Sequence, residues 1–152
     1  MPNIKELEAS MRPGKLSQGG FLGVNESLEK ILHEDDFTVK RLSLTHDKIA
    51  DRLEHFILAV DAYPSTKGKI VDGKYLVRGF VSKGIQLCPW NCDSNDPTYN
   101  NIDLIVKNTE INEELSYPGL IVHLIRKHHF YEGKQSPYRV DPEKVVRVLG
   151  VR

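Results

Sequence analysis

The dipeptide Asp72-Gly73 constrains the fold more than any other feature of this 152-residue chain. It lies between two short strand-like runs, residues 69–71 and 75–77. Glycine accepts the positive φ that a type I′ turn requires, so the pattern predicts a β-hairpin. Two strands joined by so short a turn run antiparallel. We therefore expect an antiparallel sheet in the middle of the chain.

Helical patterns lie on both sides of this predicted sheet. Between Ile49 and Val60 apolar residues recur every three or four positions, and Thr45 precedes them as a helix N-cap. Further along, Pro118 and Pro142 each suit the first turn of a helix. The fold class predicted from this order is α+β, with an antiparallel sheet of three to four strands and helices before and after it.

The apolar faces of these elements predict one hydrophobic core. In it, the helix over residues 49–60 packs against the sheet and against the helix that follows Pro118. The residues assigned to this core are Ile49, Leu53, Phe56, Val60, Val77, Ile105, Leu120 and Leu124.

The N-terminal segment has a different composition. Residues 1–20 contain prolines and glycines without helical or strand periodicity, which predicts a flexible arm. Regular structure is expected from about Phe21, with Asn25 capping the first helix. Residues 21–152 are predicted to form a single α+β domain, because their number suits one domain and they contain no repeat or linker.

The charges balance overall and are unevenly distributed. The 21 basic and 21 acidic residues give no net attraction to nucleic acid or to an anionic membrane, which leaves a protein as the possible partner. Residues 26–61 hold nine acidic and five basic residues, whereas residues 118–152 hold seven basic and three acidic ones. We expect the two segments to face each other or to be independently solvated; the alternative is a basic face for a phosphate-bearing ligand.

Neither a membrane span nor a signal peptide is visible. No apolar run approaches the length of a transmembrane helix, and charged residues occupy residues 1–15, where a signal peptide needs apolar ones. These observations predict a cytoplasmic protein. In that compartment two cysteines are expected as thiols or metal ligands and not as a disulfide.

Cysteines and histidines in the second half of the chain have the local spacing of a zinc site. Cys88 and Cys92 form a C-x₃-C pair after a predicted strand, and His123 and His128 lie on a predicted helix. Zinc prefers four thiolate and imidazole ligands in a tetrahedron, so we expect these four side chains to bring their ligand atoms within about 4 Å of one another. His129 is the alternative fourth ligand.

Helix geometry complicates this prediction. At 100° per residue, His123 points about 140° away from His128 and about 120° away from His129. We therefore expect the last turn of the helix to loosen if both imidazoles bind one ion. The alternative without a metal makes the histidines favourable cations at a helix C-terminus and the cysteines buried thiols.

The two ligand pairs resemble those of Cys₂His₂ zinc fingers. Thirty residues separate Cys92 from His123, where a DNA-binding finger has about twelve, so the resemblance implies a metal site and no DNA reading. Over residues 20–23, 118–126, 130–133 and 136–143 the chain also resembles a family of uncharacterised bacterial proteins. That second resemblance implies no activity.

The function predicted from these residues is a non-enzymatic binding or interaction module with a structural zinc ion, because four protein ligands leave no position for water. The alternative is a small zinc-dependent hydrolase with one open coordination position, in which Asp103 or Glu132 acts as the base. A thiol hydrolase built on Cys88 and His123 explains fewer of the residues in the pattern.

Overall fold

A computed structural model of the chain describes residues 3–14, 20–60, 67–81, 86–92 and 97–151. The elements in chain order are α1 (Ile4–Ser10), α2 (Leu28–Arg41), α3 (His46–Val60), β1 (Lys69–Val71), β2 (Tyr75–Val81), β3 (Ile102–Asn108), β4 (Glu113–Pro118), α4 (Leu120–His128) and α5 (Pro142–Leu149). Within these ranges no helix has both the length and the apolar character to cross a membrane.

The four strands form one antiparallel sheet in the order β1-β2-β3-β4, with helices before and after it, so the predicted α+β fold is confirmed. The hairpin turn lies where the sequence places it. Asp72 and Gly73 adopt φ values of 52° and 77°, and the Lys74 N–H donates to the Val71 carbonyl at 3.3 Å. Positive φ at both central residues is the signature of a type I′ turn.

Helix α3 covers one face of the sheet and supplies much of the core. Ile49, Leu53 and Phe56 are fully buried. The helix begins after Thr45, whose hydroxyl accepts a hydrogen bond from the Lys48 N–H at 3.2 Å, as a helix cap does.

One residue assigned to the core is on the wrong face of the sheet. Strand β3 turns Leu104 and Val106 into the core, and successive strand residues point to opposite faces, so Ile105 lies on the outer face. The prediction that Ile105 lies in the core is wrong. Its two neighbours, Leu104 and Val106, occupy the core positions instead.

The N-terminal segment contains a helix where the sequence predicts an arm without regular structure. Asn3 caps α1 by accepting a hydrogen bond from the Glu6 N–H at 2.9 Å. Leu7 and Met11 are buried in the common core. The helix is too short for its apolar periodicity to be recognised in the sequence. It is stabilised by the contacts of these apolar residues with the rest of the domain. Residues 1–2 and 15–19 of the predicted arm lie outside the described residues.

The acidic and basic segments face each other, which is one of the two arrangements expected. The Arg139 guanidinium binds both carboxylate oxygens of Asp35, at 2.6 and 2.9 Å, and Asp35 is only 4% exposed. Other pairs between the two segments are Lys134 with Glu34, Arg126 with Asp51 and Glu54, and Arg41 with Glu143. Basic residues held in such pairs are not available as a continuous face for a phosphate-bearing ligand.

Glu132 is a buried carboxyl group in the loop after α4. It is fully buried, and its Oε1 lies 3.0 Å from the Ser136 hydroxyl, while its Oε2 has no hydrogen-bond partner among the described residues. Burial raises the pKa of Glu132 from 4.5 to about 8, although Ser136 and Arg139 act in the opposite direction. Burial therefore favours the protonated carboxyl group in the folded protein at neutral pH.

This raised pKa predicts a pH dependence of stability. The unfolded chain loses the Glu132 proton near pH 4.5 and the folded chain near pH 8, so the contribution to stability is complete below the first value and is lost as the pH rises to the second. Glu132→Gln, which cannot ionise, is expected to remove this decline. Urea unfolding of both proteins at about pH 5, 7 and 8.5 measures it, and parallel curves for the two proteins would contradict it.

Candidate metal centre

Cys88 and Cys92 lie at the two ends of a tight loop. The Asn91 N–H donates to the Cys88 carbonyl at 2.9 Å, which closes a turn over Pro89 and Trp90. Asn91 then adopts φ 51°, a left-handed conformation that asparagine tolerates better than most residues. The loop brings the two sulfur atoms within 4.8 Å of each other.

The two histidines are supplied by α4, His123 from its middle and His128 from its last residue. The helix stays regular to its end, because the His129 N–H donates to the Ile125 carbonyl at 3.0 Å. The expected loosening of the last turn is therefore wrong. The side chains, and not a distorted backbone, bring the two imidazoles together, with ring centroids 5.4 Å apart.

The four side chains meet in one cluster. The Cys88 Sγ lies 3.3 Å from the His128 Nε2, and the Cys92 Sγ lies 3.1 Å from the His123 Nε2. The two sulfur–nitrogen distances are within the expected 4 Å, and all four ligand atoms lie within 4.8 Å of one another. Zn–S and Zn–N bonds of 2.3 and 2.1 Å in a tetrahedron place sulfur about 3.6 Å from nitrogen. The arrangement could hold a metal ion with small movements of the side chains.

Cys88 lies in surroundings that disfavour its thiolate form unless a cation is close by. Burial raises its pKa to about 11, and hydrogen bonds from the backbone N–H groups of Trp90 and Cys92 lower it in part. A bound cation supplies the opposite charge that a buried thiolate needs. The two N–H donors then stabilise the negative sulfur, as the surroundings of a metal ligand commonly do.

His128 is held in the neutral form that binds metals. Burial lowers its pKa from 6.5 to about 4, and the neighbouring His123 adds to this effect. The Trp90 indole stacks on the His128 ring with centroids 4.1 Å apart and an angle of 2° between the planes. Trp90 therefore joins the cysteine loop to the end of α4 and fixes the orientation of the imidazole.

His129, the alternative fourth ligand, is not in this cluster. As the cap of α4 it adopts φ 57°, and its ring stacks on His46 at 4.1 Å. Asp36, His46 and His129 form a second group whose ligand atoms lie within 4.8 Å of one another. The sequence gives no sign of this group, because its members are far apart in the chain and share no spacing motif.

A cavity of about 260 Å³ lies beside the exposed end of the cluster. Cys92 and His123 contribute to its wall, with polar side chains from Gln86, Asn91, Thr98 and Asn100. Asp103 and Glu132, the two acids considered as a catalytic base, are not among the lining residues: Asp103 borders a separate cavity on the outer face of the sheet, and Glu132 is fully buried.

The geometry supports the resemblance to zinc fingers at a coarse level, since two cysteines from a loop and two histidines from a helix share one group. The resemblance to a family of bacterial proteins stays a prediction. Comparison of the chain with protein-family models, with curated proteins and with solved structures found no match.

Proposed function

We propose that Cys88, Cys92, His123 and His128 bind a structural zinc ion, and that the protein is a non-enzymatic binding or interaction module. The observation that carries the proposal is the meeting of two sulfur–nitrogen pairs, at 3.1 and 3.3 Å, in one four-atom cluster. A single thiol–imidazole hydrogen bond explains one such pair. Two pairs within 4.8 Å of each other are better explained by a shared ion.

The donor set favours zinc over other divalent ions. Two thiolates with two imidazoles are the soft and borderline ligands of tetrahedral zinc sites, whereas calcium and magnesium prefer oxygen. As in structural zinc sites, all four ligands come from the protein, two from the C-x₃-C loop and two from the adjacent helix.

The ion would fasten the loop over residues 86–92 to α4. Within the described part of the chain, this loop reaches the segment over 97–100 through a long hydrogen bond, from the Gln86 N–H to the Asn100 carbonyl at 3.4 Å. The loop contacts α4 through the two sulfur–nitrogen pairs and through the stacking of Trp90 on His128. Two additional bonds from the helix to a shared cation would hold this loop in place.

Zinc content tests the proposal directly. Protein purified without chelator is expected to contain about one zinc ion per chain by elemental analysis, and Cys92→Ser and His128→Ala are expected to lose it. His33→Ala is the matched control, because His33 is an exposed histidine on α2, and this variant should retain the ion. Wild-type protein with far less than one zinc per chain would favour buried thiols without a metal.

The zinc-dependent hydrolase is a second candidate, and the cavity at Cys92 is the observation that favours it. A water molecule replacing the exposed Cys92 in the coordination shell would face this cavity. Ester hydrolysis by the zinc-loaded protein, abolished in His123→Ala, would support this candidate. X-ray absorption with two sulfur and two nitrogen neighbours around zinc, and no hydrolysis, would support the structural role.

A protein is the partner class that we propose for the module. The balanced charge and the pairing of basic with acidic residues give nucleic acid little to bind. Leu87, which precedes Cys88 and is 66% exposed, offers an apolar contact on the loop that the ion would hold. Because the cluster needs reduced thiols, we also propose that the protein is cytoplasmic.

A further inference from the structure

The second group of metal-ligating side chains lies where three helices meet. Asp36 is on α2, His46 is the first residue of α3, and His129 caps the end of α4. Their ligand atoms lie within 4.8 Å of one another. None of the three belongs to the cysteine cluster, although His128 and His129 are consecutive in the chain.

His46 is held at both of its ring nitrogens. Its Nε2 lies 2.8 Å from the Asp36 Oδ1, and its Nδ1 lies 2.9 Å from the hydroxyl of Tyr131, which is fully buried. When the proton is on Nδ1, the ring donates to Tyr131 and directs the Nε2 lone pair toward Asp36. A carboxylate tolerates that lone pair only when both atoms bind one cation. A metal ion would therefore take the place of the Nε2 proton, and the Nε2 and Oδ1 atoms would separate from 2.8 Å to about 3.3 Å to bind it.

His129 completes the group from the solvent side. Its ring is exposed and stacks face to face on His46, with 7° between the planes. Parallel rings direct their lone pairs side by side, so His129 must tilt to share an ion with His46. Solvent exposure leaves room for this tilt.

Asp36 divides its two carboxylate oxygens between two neighbours. The Oδ2 lies 2.7 Å from the Lys40 ammonium, whereas the Oδ1 is the oxygen that faces His46. Lys40 is exposed and holds the carboxylate from the outer side. The Oδ1 therefore remains on the side where the two imidazoles meet.

We propose that Asp36, His46 and His129 bind a divalent first-row transition-metal ion through one carboxylate oxygen and two imidazole nitrogens. Imidazole with carboxylate is a donor set that suits zinc, cobalt, nickel and iron, and three protein ligands leave positions for water or a small anion. This second site is open, in contrast to the closed set of the cysteine cluster.

Cobalt(II) added to the protein as purified tests the second site, because cobalt reports its ligands by its absorption. About one additional cobalt per chain is expected by equilibrium dialysis, with weak d–d bands and no sulfur-to-cobalt charge-transfer band. His129→Gly and Asp36→Asn are expected to lose it. Glycine suits the left-handed backbone at position 129, so His129→Gly removes the imidazole without straining the fold.

His55→Ala is the matched control, because the His55 Nε2 lies 2.8 Å from the Asp72 Oδ2 and reproduces the histidine–carboxylate pair. This variant should keep the additional cobalt. Tyr131→Phe should weaken cobalt binding by about 10- to 100-fold through the lost hydrogen bond to His46. Wild-type protein that takes up no cobalt beyond the cysteine cluster, or uptake that persists in both His129→Gly and Asp36→Asn, would overturn the proposal. The result does not depend on the zinc site, since Cys92→Ser should still bind this cobalt.

Discussion

Removal of the proposed zinc ion from the cysteine cluster is expected to lower the free energy of unfolding by about 4 kcal/mol or more. A ligand that binds only the folded state adds about 4 kcal/mol when its free concentration is a thousand times its dissociation constant, and structural zinc binds tightly enough to reach this regime. Thermal unfolding with and without a strong chelator measures the effect. The melting temperature of the wild-type protein should fall in chelator.

Two variants separate metal loss from other effects of the chelator. Cys92→Ser should melt at the lower temperature in both conditions, because its cysteine cluster holds no ion, whereas His33→Ala should respond to the chelator as the wild type does. A wild-type protein whose melting temperature is the same with and without chelator would argue against a structural ion.

Phe56→Ala is expected to cost about 3–5 kcal/mol, the range for truncating a buried phenylalanine. Phe56 is fully buried on α3, and its ring packs edge-on against Tyr75 of β2 with centroids 5.0 Å apart. The Arg52 guanidinium lies 4.8 Å from the centre of the same ring. Truncation therefore removes contacts between α3 and the sheet and leaves a cavity that this packed interface cannot close.

Urea unfolding measures the cost of Phe56→Ala, with Phe37→Ala as the control. Phe37 is on α2 and is 65% exposed, so its truncation should change stability by about 0.5 kcal/mol or less. Equal losses of stability in the two variants would mean that the packing of Phe56 on α3 contributes no more than an exposed side chain does.

The parts of the fold that the sequence predicts well are those governed by local signals. The hairpin at Asp72 and Gly73 and the helix after Thr45 each depend on residues within a few positions. Helix α5 likewise begins at Pro142, where the sequence predicts it, with Asp141 as its cap. The physical reason is that turn geometry and capping hydrogen bonds are decided by near neighbours.

Elements that depend on distant contacts were harder to predict. Strand β4 contains two consecutive glutamates, which have little preference for strands, and it forms because it pairs with β3 along its whole length. As a result, Pro118 ends this strand and does not begin α4, which starts at Leu120. The first helix after the arm is capped by Ser27 in place of Asn25, since the Ser27 hydroxyl accepts from the Lys30 N–H.

At the candidate site, the spacing of cysteines and histidines in the sequence indicates the kind of ligands. The choice between the neighbouring His128 and His129 depends on the fold. The C-x₃-C pair and the histidine helix are both visible in the sequence. Ideal helix geometry favours neither His128 nor His129 as the companion of His123, and the choice is made by side-chain reach and by the backbone at the helix end. The second group needs α2, α3 and α4 to be packed together before it exists at all.

The left-handed backbone at His129 opposes stability to the proposed second metal site at a single position. A residue with a side chain pays about 1–2 kcal/mol in this conformation, and glycine would avoid that cost while ending the helix equally well. The imidazole at this position brings its ligand atom within 4.8 Å of those of Asp36 and His46, and glycine has no ligand atom to offer. Selection for thermal stability alone would therefore replace His129 early, whereas selection that also requires the second site would keep it.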